Sequence, residues 1–138
     1  MGDIVRVSGT GVVTNGEAAL EPMSVIVKTR ETFPAPIGMP LRALGGSDFG
    51  IQSWITGGVG LNNIGLLVRT WGRFGYVDRS TFTIDDGSGP VKCVVSAGVM
   101  ISPNWQFVVV TGISSCERVG DEIQRLLRVR GQDDIVAQ

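Results

Sequence analysis

Thr81-Phe82-Thr83-Ile84, Asp85-Asp86-Gly87-Ser88-Gly89-Pro90 and Val91-Lys92-Cys93-Val94-Val95 follow one another without interruption. Two alternating runs rich in Thr, Ile and Val flank a cluster of Asp and Gly, the composition of two strands joined by a tight turn. Working towards the N-terminus, Leu66 to Val77 reads as one long strand in which Gly72 permits the sharp bend that a small barrel needs. Towards the C-terminus, Phe107-Val108-Val109-Val110-Thr111 gives a fourth strand and Leu126-Leu127-Arg128-Val129 a fifth. The expected fold class is all-β, with a five-stranded barrel over 64–130 inside a domain spanning 64–138.

The fifth strand has a rival reading. Val119, Ile123, Leu126 and Leu127 share a helical face, and Asp121 and Glu122 suit a first helical turn. A second copy of the pattern decides for the strand. Val5, Val7 and Gly9 match Val108, Val110 and Gly112 in order and spacing, and Leu20 then falls opposite Ile123. Beyond that, Met23 and Ile26 match Leu126 and Val129 without a gap, or Val25 and Val27 match Leu127 and Val129 after one deletion. The N-terminal copy holds Pro22 and Val25-Ile26-Val27, which make a poor helix.

That copy defines a first unit, 1–29, in which 3–28 form a β-hairpin around the turn signal Asn15-Gly16. A lone hairpin cannot bury its own apolar face and leaves strand edges open. It must therefore fold back on its own barrel or complete a surface on a neighbouring chain, where strand pairing would build an assembly, and fold-back or shared packing within a compact unit is the preferred expectation. Between hairpin and barrel lies a Pro/Gly-rich segment, 30–63, with Pro34, Pro36, Pro40, Gly45-Gly46 and Gly57-Gly58. Met39, Leu41, Leu44, Phe49, Ile51, Trp54 and Ile55 are too many apolar residues for a solvated linker. The segment is expected to be an ordered strap over the barrel, anchored by Trp54.

Composition narrows the function. Net charge is −1 from Lys+Arg 12 and Asp+Glu 13, so no global field draws a polyanion. There is no histidine, which removes the commonest general base and metal ligand. Lys28 and Lys92 are the only lysines, and no base is placed to activate a serine. Glu117, Asp121 and Glu122 are expected in a solvated turn. The Asp85–Gly89 run resembles a calcium loop but lacks its later bidentate carboxylate, so a plain turn explains it better. Cys93 and Cys116 lack metal-ligand spacing; one disulfide or two buried thiols both fit. The expectation is a non-enzyme with no cofactor, no metal and no membrane span, whose Met1-Gly2-Asp3 leads directly into a strand without a signal peptide.

Val68-Arg69-Thr70-Trp71-Gly72-Arg73, the Phe82–Lys92 stretch and Val108-Val109-Val110-Thr111-Gly112 together resemble the OB-fold, the oligonucleotide/oligosaccharide-binding Greek-key barrel. The likeness is to OB-type modules repeated in large uncharacterised exported bacterial proteins. It covers 64–135 and the strap from Ala43-Leu44-Gly45-Gly46 to Gly60-Leu61-Asn62-Asn63. The resemblance implies a secreted or cell-surface setting, with residues 3–28 as the closing strands of a preceding module. Ser96–Trp105 has no room for the family's usual helix, so Met100, Ile101 or Trp105 is expected to plug that end.

If Val68, Thr70 and Gly72 face inward, Arg69, Trp71 and Arg73 form an outward row. An aromatic between two guanidiniums can stack a base or a sugar ring. The preferred reading is that strap or hairpin covers Trp71, because an apolar strap needs a surface. Three function classes follow. The first is a structural module contacting other protein modules or copies of itself. The second binds single-stranded nucleic acid through Arg69, Arg73, Arg79 and Lys92, with Trp71, Phe74 and Tyr76 stacking bases. The third binds an oligosaccharide through the same aromatics. Near-neutral charge counts against nucleic acid, and the first class is preferred.

Overall fold

The computed structural model describes every residue except Met1 and Phe33; the expected lead from Met1 into a strand lies, at Met1 itself, outside them. Strands β1 (Gly2–Thr14) and β2 (Glu17–Glu31) form a separate two-stranded antiparallel sheet. After β3 (Ile37–Gly38) come β4 (Leu67–Tyr76), β5 (Thr81–Asp85), β6 (Val91–Val95), β7 (Phe107–Val119), β8 (Glu122–Val129) and β9 (Ile135–Ala137). The sheet runs β3-β4-β5-β6-β8-β7-β9 and closes through β4–β7 pairing. The circuit β4-β5-β6-β8-β7 is thus a small all-β barrel of five strands, antiparallel except for the parallel pair β6–β8.

Strand alternation builds the core. Val68 and Thr70 of β4, Phe82 and Ile84 of β5, Val91 and Cys93 of β6, Val108 and Val110 of β7, and Leu127 and Val129 of β8 are all buried. Their neighbours in sequence, Arg69, Trp71 and Arg73 among them, point outward. Gly72 lies where a Cβ would stand 2.7 Å from the Asp85 backbone nitrogen, so the bend in β4 depends on its missing side chain. The rival helix over 117–130 does not form. β8 takes backbone partners from β7 on one edge and β6 on the other, and two ladders outweigh an amphipathic period.

The ordered strap is present, but its anchor differs from the sequence expectation. Trp54 is 64% exposed, whereas Leu41 and Leu44 are fully buried in the barrel core and Ile55 in a second cluster with Cys116 and Ile123. Leu41 lies in a short 3-10 turn, Leu41–Ala43, that carries its side chain into the barrel. At the barrel end bearing the β4–β5 turn, Ile101 and Trp105 pack on the core, while Met100 is exposed. Trp105 meets Phe74 edge-on at 5.3 Å.

Thr70 sits in the core with its hydroxyl lacking a hydrogen-bond partner. A buried polar atom without a partner costs about 1–3 kcal/mol. Thr70→Val keeps the shape and removes the hydroxyl, so it should raise stability by about 1 kcal/mol. Chemical denaturation would show this as a higher midpoint at unchanged slope; a lower midpoint would mean that the hydroxyl is satisfied in solution.

Candidate functional site

Two outward features stand out: the ribbon made by β1 and β2, and the aromatic row on β4. The ribbon turns at Asn15-Gly16, with φ of 51° and 85°, the left-handed pair that a two-residue hairpin loop requires. That turn is its foot on the barrel. Gln52 donates from Nε2 to the Gly16 carbonyl at 2.9 Å and accepts at Oε1 from the Ala18 N–H at 2.7 Å. The Arg118 N–H donates to the Asn15 carbonyl at 2.9 Å. Glu17 accepts from the Ser115 hydroxyl at 2.8 Å and pairs with Arg128 at 3.2 Å.

From this foot the strands project away, and every residue from Glu21 to Glu31 is exposed. Thirteen residues in β1 make an arm roughly 40 Å long at about 3.3 Å per residue. The preferred expectation of fold-back is therefore corrected: only the turn end is docked. Polar groups at the tip find partners on the strap, β7 and β8. The repeat also holds only strand by strand. Both hairpins close with two-residue turns, Thr14↔Glu17 and Val119↔Glu122, so the turn falls two residues earlier in the arm than the matched spacing would put it.

Register sorts the arm into two unlike faces. Directly paired residues in an antiparallel ladder project to the same side. Asp3↔Arg30, Val5↔Val27, Val7↔Val25, Gly9↔Pro22, Gly11↔Leu20 and Val13↔Ala18 therefore share one face, which is apolar apart from the Asp3–Arg30 ion pair at its free end. Arg6↔Ile26, Ser8↔Ser24, Thr10↔Glu21, Val12↔Ala19 and Thr14↔Glu17 form the other, which is mixed. The extra residues Lys28 and Met23 fall at the two register shifts in β2, so β1 alternates without a break. Val5, Val7, Val13, Leu20, Val25 and Val27 are each 39–58% exposed.

The aromatic row is placed as the alternation predicts, but it is not covered. Trp71 is 44% exposed, which corrects the expectation that strap or hairpin hides it. The strap sends Leu41 and Leu44 inside the barrel instead of across its outer wall, and its other large apolar residues, Phe49, Trp54 and Leu61 among them, stay exposed themselves. Trp71 and Arg73 share a cleft of about 400 Å³ with Asp85, Asp86, Gly87 and Phe107. Phe107, opposite Arg73 on β7 and 42% exposed, was missed by the sequence reading, although the alternation with buried Val108 and Val110 points to it.

The other proposed contacts do not join that cleft. Phe74 turns towards the core, 5.4 Å from Phe82. Tyr76 is exposed at the far end of β4, and Arg79 in the loop after it. Lys92 lines a different cleft and is held by both carboxylate oxygens of Glu117, at 2.9 and 3.1 Å. Glu117 and Glu122 lie on strands rather than in the expected turn, because β7 runs on to Val119.

Cys93 and Cys116 are both free and buried, which settles the open choice in favour of thiols. Burial pushes both thiols up, and Glu17 adds to the effect on Cys116. They belong to separate clusters: Cys93 lies inside the barrel, Cys116 under the foot of the arm. Among the described residues no group of three or more acidic or sulfur ligands converges on a metal position. Among the described residues no helix is long and apolar enough to cross a membrane.

The acidic turn is occupied by its own structure. Asp85 Oδ1 accepts from the N–H groups of Gly87 and Gly89, and Asp86 Oδ1 from the N–H and hydroxyl of Ser88. Asp86 Oδ2 accepts from the Leu41 N–H at 2.8 Å, which ties the turn to the strap. Burial raises the Asp86 pKa, but the Ser88 and Leu41 hydrogen bonds outweigh it and the net shift is downward. Asp78 is also lowered, by Ser80. A carboxyl depressed in the folded state stabilises above its unfolded pKa, and that contribution fades as pH falls through the folded one. Stability should therefore fall with acidification below about pH 4, and less steeply in Asp86→Asn. Equal acid slopes in the two proteins would mean that the strap tie is not electrostatic.

No family model matches the chain, and no curated protein matches it either. The functional reading therefore rests on the arm and the barrel wall themselves.

Proposed function

We propose that this chain is a non-catalytic OB-type structural module that makes protein–protein contacts through its projecting arm. The observation that carries the reading is a ribbon face, apolar from Val5 to Val13 and from Ala18 to Val27, left in water along most of its length. A two-stranded ribbon is marginal in water on its own, and contiguous apolar surface of this size marks an interaction site. The closed circuit with one parallel pair supports the OB-type assignment, since that barrel is a five-stranded Greek key. A secreted or cell-surface setting fits a module of this kind.

A second reading has one specific observation in its favour. Arg69 and Arg73 make no salt bridge among the described residues, and they flank an exposed Trp71 beside Phe107. That surface could stack a nucleobase or a sugar ring. It supplies two free cations, while tight strand binding uses a longer basic track. Fluorescence polarisation with a labelled oligothymidylate and with an oligosaccharide panel separates the readings. Only weak binding, lost by moderate salt, is expected for the DNA, and none for the sugars. Tight binding that Trp71→Ala or Arg73→Ala abolishes would replace the structural reading with the ligand-binding one.

A further inference from the structure

Arg125 is out of place among the charged residues of this chain. Every other arginine is broadly exposed, whereas Arg125 is half-buried. Its Nε is buried without a hydrogen-bond partner, and its Nη2 donates to the Gly57 carbonyl of the strap. No carboxylate pairs with it: among the described residues the arginine ion pairs are Arg30–Asp3, Arg128–Glu17 and Arg130–Asp134. Burial pulls the Arg125 pKa down, and the charge of Asp86 offsets this only in part. A guanidinium stays charged at any ordinary pH, so β8 holds a partly desolvated cation without a counter-charge in contact. Tying the strap to β8 needs one donor, which a neutral side chain would supply without that desolvation. A guanidinium offers a planar fork of donors that matches a carboxylate.

Arg125 lines a cleft of about 460 Å³ between the strap and strands β5, β6, β7 and β8, within the size range of small-ligand sites. Lys92, Glu117 and Glu122 are the other charged residues around it. Lys92 and Glu117 occupy each other through both carboxylate oxygens. Glu122 accepts one long hydrogen bond, from Gln124 Nε2 at 3.3 Å, and pairs with no cation among the described residues. The cleft therefore presents one unused positive group and one unused negative group.

That pattern selects the ligand. A carboxylate is the planar partner of a guanidinium, but a simple anion would add its charge to those of Glu117 and Glu122, and phosphate would add more. A molecule carrying an ammonium as well as a carboxylate leaves the cleft balanced. We propose that this cleft binds a small zwitterion, a free amino acid or a short peptide, with its carboxylate on Arg125 and its ammonium on Glu122. The site shares no residue with the arm or with the Trp71 cleft, so it stands apart from both functional readings above.

Isothermal titration calorimetry of the full chain tests this with a panel of L-amino acids, triglycine, acetate and inorganic phosphate, each up to millimolar concentration. At least one amino acid or the peptide should bind, and acetate and phosphate should bind at least about tenfold more weakly, the scale of one charged hydrogen bond. Binding of free amino acids alone supports a metabolite site, and binding of triglycine supports a site for peptide ends. Arg125→Gln keeps a donor for the Gly57 carbonyl but loses the charge, and should weaken binding by about tenfold to a hundredfold. Glu122→Gln should narrow the preference for the zwitterion over acetate. Arg42→Gln, at an exposed strap position outside the cleft, should change nothing. Gln124→Trp fills the cleft from an exposed position on β8, so it should block binding even if Arg125→Gln does not fold. Failure of every amino acid and of triglycine to bind overturns the site and leaves Arg125 as a tie for the strap. Binding that survives both Arg125→Gln and Gln124→Trp also overturns it, and acetate or phosphate binding as tightly as the amino acids overturns the zwitterion.

Discussion

Leu44→Ala should lower the stability of the whole barrel by about 3 kcal/mol, within the range of buried leucine truncations. Leu44 is fully buried with Leu41 among residues from all five barrel strands, yet it belongs to the strap. A strap merely lying on the surface would yield less than 1 kcal/mol for the same change. Urea unfolding followed by tryptophan fluorescence checks this through the midpoint shift, and a single cooperative transition should persist, since strap and barrel share one core. A near-zero shift, or a separate early transition, would mean that the strap is an appendage.

Gly46→Ala should cost about as much or more, by a different route. Gly46 adopts φ +72°, and a Cβ there would stand 2.1 Å from the Leu61 carbonyl oxygen. No side chain fits, so the strap crossing must open. The crossing is closed by Asn63, which accepts from the Gly45 N–H at 2.8 Å and the Ser114 hydroxyl at 2.7 Å while donating to the Ala43 carbonyl at 2.6 Å. Gly60→Ala is the control, because Gly60 has φ +82° but open space around its missing Cβ. The control should lose only the left-handed penalty of about 1–2 kcal/mol. Gly46→Ala should exceed it by about 2 kcal/mol, the scale of a forced backbone shift in a packed site. Equal losses would mean that the crossing is looser than the structure has it.

The barrel strands were legible because each carries period-two alternation and a Gly or Asp/Gly turn, as Phe82 and Ile84 before Asp85–Gly89 illustrate. The strap's order was legible from its apolar count, but its anchors were not. Trp54 is the largest residue in the segment, and size suggested burial. The 3-10 turn at Leu41–Ala43 and the Asp86 carboxylate at its start decide which side chains enter the core, and both depend on contacts distant in sequence. β9, which extends the sheet along Val108–Val110, was missed for the same reason: three residues carry too little pattern. At the candidate site, the outward Arg69/Trp71/Arg73 row was readable from β4 alone, whereas its cover had to be guessed. The arm's apolar face was half readable. Val5, Val7, Val25 and Val27 stand out in sequence, but their union on one side depends on the register shifts at Met23 and Lys28.

The measurement that tests the central claim most directly is amide hydrogen exchange of residues 3–31 in the full chain across a range of protein concentrations. An arm whose apolar face exists for contact should exchange rapidly in dilute solution. Strands β4 to β8 should stay strongly protected under the same conditions. Strong protection of β1 and β2 that is the same at every concentration would contradict the account, because the ribbon would then be stable without a partner.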